Sequence, residues 1–232
     1  MEPVREEIFR QKHMVFIGKV LACFPHSIRN RLATIRETAG LMGDLLRQED
    51  QWSEDDQKKF TGILSTIENH VNILARKNEY LDRFAQRMGK TFTTLDLREV
   101  VEEVVSFSSR FAHLRRVSLT LDAAKTLPSI YSDPLLIYFI VSIMIDDLLE
   151  RVERGGKVIV RVEQINNEML IEAQGCGTLD TAAPSTEERN KYWLTGQQVV
   201  NNLGGRLKTS AIGSDMRQTS LFLPIKQVSK DI

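Results

Sequence analysis

Two long stretches of helical periodicity, one straight after the other, constrain this chain more than anything else in it. From about Arg5 to Leu46, apolar residues recur at Ile17, Leu21, Phe24, Ile28, Leu32, Ile35, Ala39, Met42 and Leu46, always three or four apart. The polar run Gln48 to Glu54 interrupts the pattern, with Ser53 as a plausible N-cap for a second helix. That second pattern runs from about Asp55 to Met88, with Phe60, Leu64, Ile67, Val71, Leu74, Leu81 and Met88 on one stripe at heptad-like spacing. Two such helices joined by a short turn make an antiparallel hairpin. Each would run roughly 50 to 60 Å at about 1.5 Å per residue, too long for one hairpin to bury both stripes. Two copies would close a four-helix bundle, so the expectation is a homodimer.

After Gly89 the texture changes. Thr91 to Leu95 reads as a strand, Leu97 to Phe111 as a helix and Val117 to Leu121 as a strand. Asp133 to Val152 is a strongly apolar helix. Lys157 to Glu163 and Glu168 to Ala173 are strands around the turn Asn166-Asn167, and a helix comes next near Tyr192 to Leu203. Strands Arg206 to Thr209 and Gln218 to Pro224, joined at Gly213, end the pattern. The expected class is α+β: a helical domain over residues 1–90, then a sandwich of a mixed sheet under a few helices over 91–232.

Composition narrows the function. Lysine plus arginine equals aspartate plus glutamate at 31 each, so no basic excess points to nucleic acid or an anionic membrane. No apolar run approaches the roughly 18 to 20 residues that span a bilayer. The start, MEPVREEIFRQKH, lacks the apolar core of a signal peptide. Cys23 and Cys176 lie far apart and make no metal-ligand spacing. A reduced, cytoplasmic protein is the simple reading.

The segment Phe24 to Ile35, FPHSIRNRLATI, carries the chemistry. His26 lies two residues from both Phe24 and Ile28, which at about 100° per residue sets it on the far side of the helix from the apolar stripe. Imidazole is a good nucleophile near neutral pH and can carry a phosphoryl group. Its helical neighbours Ala22, Arg29, Asn30 and Ala33 include small residues that leave room for another protein to approach. Lys19 and Arg29 are placed to attract an acidic face or a phosphate.

His-x-x-x-Asn followed by a leucine, on the first helix of a long hairpin, resembles the phosphoacceptor box of sensor histidine kinases. The C-terminal half resembles their ATP-binding domain, a Bergerat-type α/β sandwich. Ser132-Asp133-Pro134 opens a helix of the family's length, and Gly155-Gly156-Lys157-Val158 leads into a strand. Gly204-Gly205-Arg206-Leu207 and Gly213 through Phe222-Leu223-Pro224 resemble the final hairpin. No single piece is specific, but their order and spacing are.

The departures from that family decide what the resemblance implies. Family kinases place an acid directly after the phosphoacceptor as general base, where this chain has Ser27. Asn30 keeps the family's water-orienting position, but the usual proline after it is Arg31. Pro25 instead precedes His26, where a local kink is expected. The nucleotide box's two asparagines fall on Ile143 and Asp147. Only Asp147 could ligate a hard cation. The aspartate that pairs with adenine is replaced by Ala173, ahead of the retained Gly175 and Gly177. Bulky residues from Asn190 to Leu194 stand where a glycine-rich phosphate loop is expected.

The resemblance therefore implies a degenerate ATP-binding domain that holds no cofactor or metal. It points to a histidine phosphotransferase in which His26 exchanges phosphoryl groups with receiver-domain aspartates, the receiver bringing its own Mg²⁺. Two alternatives stand beside it: a non-catalytic adaptor, and a divergent but active kinase. Trp193 is expected to fill part of the emptied nucleotide pocket.

Overall fold

A computed structural model describes residues 3–48, 54–88, 90, 92–178, 187–211 and 216–225. Its architecture is mixed α+β, helical at the N-terminus and sheet-based after it. Helices α1 (Pro3–Gln48) and α2 (Glu54–Met88) match the two periodic stretches, and α1 runs through Pro25 as a single element. Ser53, Trp52 and Gly213 lie outside the described residues.

By its internal contacts the chain divides into two compact units. One, Gly18–Ala85, contains most of both helices. Along α1 it buries Val20 and Phe24, and along α2 Ile63, Tyr80 and Phe84. Leu21, Leu32, Leu41, Leu64 and Val71 stay exposed. Between the helices, Arg31 Nη1 donates to His70 Nδ1 at 2.9 Å, so that His70 nitrogen must present its lone pair.

The other unit comprises Met1–Ile17 and Gln86–Ile232. Its core is a five-stranded sheet in the order β2 (Ser118–Ala123), β4 (Lys157–Ile165), β5 (Glu168–Cys176), β7 (Met216–Pro224), β6 (Arg206–Ala211). Only β2 and β4 run parallel, which requires a crossover, and α4 (Pro134–Arg151) supplies it. A second, two-stranded sheet pairs β1 (Thr93–Leu95) with β3 (Ile130–Ser132). Strand β3 escapes the sequence reading because three residues are too few to show a period.

Period-two alternation puts Val158, Val160 and Val162 of β4, and Met169, Ile171 and Ala173 of β5, on one buried face. Helices α3 (Leu97–Leu114), α4 and α5 (Glu187–Asn202) complete the unit. Asp96 caps α3 by accepting from the Arg98 amide at 2.8 Å. Asp133 caps α4 by accepting from the Leu135 and Leu136 amides at 2.9 and 3.3 Å, with Pro134 opening the helix. Burial pushes the Asp133 carboxyl up, against the pull of those two amides.

At the end of α2, Arg87 is built into this second unit. Its guanidinium donates to Glu103 and Glu99 on α3, at 2.6 Å each, and to the Tyr138 hydroxyl on α4 at 3.1 Å. Tyr138 in turn donates to Glu103, which is fully buried. Burial and the Glu103 charge push the tyrosine hydroxyl well above its ordinary range. Burial works to lower the arginine, but Tyr138 and Glu103 outweigh it and hold Arg87 firmly protonated.

Candidate functional site

The sequence-predicted residues fall into two groups on separate units. His26, Asn30, Lys19, Ala22, Arg29 and Ala33 share the middle of α1. The side chains of His26, Lys19 and Ala22 lie outside the described residues, as does that of Ser27. Of the others, Arg29 and Asn30 are exposed and Ala33 is half-buried. Phe24, two residues before His26, is buried. The Asn30 carbonyl accepts from Thr34 Oγ1 at 3.1 Å.

The second group centres on α4 and its neighbours. Asp147 is buried on the last turns of α4, and its carboxylate faces two guanidinium groups. Arg151 Nε, one turn on, lies 3.5 Å from Oδ2, and Arg217 Nε of β7 lies 3.3 Å from the same oxygen. The indole of Trp193 on α5 donates to Oδ1 at 3.4 Å. Two arginines and an indole thus surround one carboxylate. No group of three or more His, Cys, Asp or Glu side chains suited to a metal occurs among the described residues.

Ile143, one turn before Asp147, meets α5 at Gly196. A Cβ added there would sit 3.4 Å from Ile140 Cδ1 and 4.0 Å from Ile143 Cδ1, so the two helices lie against each other. Ala173 is buried on β5, paired with Val160 on one side and Thr219 on the other. The retained Gly175 has a packing reason of its own. A Cβ there would come within 2.8 Å of Val152 Cγ2 and 3.1 Å of Leu148 Cδ2, so only glycine lets β5 approach α4. Gly177 adopts φ +118°, which also favours glycine. Thr219 Oγ1, opposite Ala173, is buried with no hydrogen-bond partner among the described residues.

Of the residues that sequence reasoning singles out here, Asp147 and Trp193 are brought into contact, while Arg151 and Arg217 are missed. Arg151 could have been found, since it lies four residues beyond Asp147 on one helix. Arg217 could not, because its approach depends on the register of β7 against β5.

No protein-family model matches the chain. The sensor histidine kinase ZraS of Escherichia coli O157:H7 is 20% identical over 239 residues, covering 98% of this chain. The chain spans about half, 50%, of that relative's length. Among solved structures, the nucleotide-free catalytic domain of histidine kinase ThkA superposes with a TM-score of 0.53 at 12% identity, covering 60% of this chain and 100% of that one. Full-length ShkA in complex with AMPPNP gives 0.52 at 12% identity, covering 98% of this chain and 47% of that one. These likenesses establish the fold. No helix among the described residues is long and apolar enough to cross a membrane. A sequence match running almost end to end, together with this shared fold, makes the chain a relative of the sensor histidine kinases.

Proposed function

We propose that the chain is a histidine phosphotransferase of a two-component phosphorelay, working without ATP through His26. The observation that carries this reading is the state of Asp147. The residue best able to ligate a nucleotide's metal is instead neutralised by Arg151 and Arg217 and bonded by Trp193. Its neighbours agree. Ile143 offers no polar side-chain contact, Ala173 cannot accept a hydrogen bond, and Gly175 is committed to helix–strand packing. A buried adenine amino group left unpaired at Ala173 would cost roughly 1 to 3 kcal/mol. Thr219 Oγ1 could receive a polar atom or a water, but one hydroxyl does not restore the set. These residues do not fit a magnesium nucleotide.

What the chain offers is a nucleophile on a long helix. An imidazole nitrogen of His26 would attack the phosphorus of a receiver's aspartyl phosphate, forming an N–P bond as the acyl P–O bond breaks. The electron pair leaves on the receiver's carboxylate, and the receiver supplies the Mg²⁺. Passing the group to a second receiver runs the same exchange in reverse. Exposed Arg29 and Asn30, with Lys19, Ala22 and Ala33 on the same helix, form the docking surface in this reading. A second copy would cover the exposed Leu21 and Leu32 of α1 and Leu64 and Val71 of α2, closing a four-helix bundle.

The test is phosphoryl acceptance. The full chain and its His26→Ala variant are incubated with labelled, phosphorylated receiver domains, and separately with labelled Mg-ATP. Acid-labile label from a receiver on the native chain alone is the expected result. No label from any receiver would overturn the relay reading in favour of an adaptor. Label from Mg-ATP would instead make the chain an active kinase.

A further inference from the structure

We infer that the end of the sheet-based unit where the turn after α3 meets the turn before β4 is a second recognition surface for the phosphorylated receiver, drawing it in by charge. The inference rests on the relay proposed for His26 and adds a surface beyond the α1 face. Two reverse turns are bonded together at this end. After α3 the Arg116 amide donates to the His113 carbonyl at 3.0 Å, and the Val117 amide to that of Ala112 at 2.9 Å. Before β4 the Gly156 amide donates to the Glu153 carbonyl at 3.1 Å. The Gly155 amide donates to the Arg116 carbonyl at 2.9 Å, and the Ser118 amide to that of Gly156 at 3.0 Å, which joins the two turns. Parallel pairing sets Lys157 beside Ser118. Arg115, Arg116, Arg154 and Lys157 are thus carried on one hydrogen-bonded stretch of backbone, and all four are exposed.

These cations differ from others of the same unit. Arg87, Arg151, Arg161, Arg206 and Arg217 each stand against a carboxylate. Arg116, Arg154 and Lys157 have no carboxylate within ion-pair distance among the described residues. Arg115 gives one donor to the Leu149 carbonyl at 3.2 Å, a neutral group that leaves its charge in place. Arg116 is also held at φ 56°, a left-handed conformation that glycine adopts freely and that costs other residues. A strained backbone kept under an exposed cation points to a use for the guanidinium.

The partner's chemistry fits this surface. A receiver's aspartyl phosphate, and the carboxylates that hold its Mg²⁺, present negative charge and oxygen pairs that arginine meets bidentately. Exposed Glu150 and Glu153 lie in the same stretch. A uniformly anionic membrane would repel both, whereas a protein can set a cation opposite each, so a protein face is favoured. Leu114, 67% exposed beside the arginines, gives that face an apolar contact.

The test follows the rate of phosphoryl transfer from the labelled receiver to the full chain at low and at high salt. The variants are Arg154→Glu with Lys157→Glu, and separately Arg116→Gly. Phosphoramidate, a small phosphoryl donor, reads the reactivity of His26 without docking. The charge reversal should slow transfer from the receiver about tenfold at low salt, with the difference closing at high salt. Labelling by phosphoramidate should stay unchanged. Arg116→Gly should also slow transfer while melting no lower than the native chain, because glycine suits that φ. A residue kept for folding alone would not separate the two readouts. Receiver rates unchanged in both variants would overturn the surface. So would binding to anionic vesicles that the charge reversal abolishes while the receiver rate holds, which would make this a lipid-facing patch. Failure of the relay itself shows in the native chain, which would then take no label from any receiver and carry the surface down with it.

Discussion

The helical unit Gly18–Ala85 and the sheet-based unit dispose of their apolar residues in opposite ways. In the hairpin, Leu21 and Leu32 are 56% and 53% exposed, and Val71 is 47% exposed. In the sandwich, Val100, Ile137, Met144, Val160, Ile171 and Leu221 are all at 0%. Scattered exposed leucines are ordinary, but Leu21 with Leu32 on α1, and Leu64 with Val71 on α2, fall within about 20° of a common face on their helices. The sandwich completes its core within one chain, whereas the hairpin has apolar surface to spare.

The sharpest way to break this contrast is at the buried charges of the sandwich. Arg87→Met leaves the Glu103 carboxylate buried without its cation and should cost about 3 to 5 kcal/mol in denaturant unfolding. A loss below about 1 kcal/mol would mean that water reaches Glu103. Met144→Ala, at the centre of α4, should cost about 2 to 5 kcal/mol by transfer and cavity terms. The outward row of the hairpin should respond in association instead. Leu32→Asp should leave the sandwich's unfolding unchanged but weaken the proposed dimer, at about 1.5 to 3 kcal/mol for each leucine no longer buried. Sedimentation equilibrium decides this: a native chain that is monomeric at all concentrations would show that the row has no second copy. The smallest effect is expected at Thr219. Replacing its unpartnered buried hydroxyl by Thr219→Val should raise stability by about 1 kcal/mol. A fall would reveal a buried water or ligand atom bonded there.

Much of this fold is legible in the sequence, for reasons that also explain what is not. Helices α1, α2, α3 and α4 announce themselves by period and by their caps, as Asp96 and Asp133 illustrate. The periodic stripe of the hairpin passes through Leu21 and Leu64. The structure buries their immediate neighbours Val20 and Ile63, one residue and about 100° away. Both rows are apolar on α1 and α2, and periodicity alone cannot say which one the partner helix covers. Glu99 and Glu103 are one turn apart on α3, and Glu103 sits among Val100, Val104 and Phe107. A lone acid on an apolar face is a signal for a buried partner, but it does not name Arg87. Likewise the Trp193–Asp147 contact spans 46 residues and arises only once α5 lies on α4. The side chain of His26, on which the proposed chemistry turns, is legible only as a position on a helix and by its resemblance.

The Arg87 clamp bears on how this protein can be dissected. The texture of the sequence suggests cutting near residue 90, which separates every residue of the two long helices from every strand. Such a cut would remove from the C-terminal fragment the guanidinium that neutralises Glu103 and meets the Tyr138 hydroxyl. The severed piece would carry a buried acid in its core, and its instability would be mistaken for a property of the whole domain. The natural seam lies inside α2, ahead of Gln86, so the last helical turn belongs with the sheet it precedes. A helix that reads as one continuous rod in sequence is, in its bonding, shared between two owners.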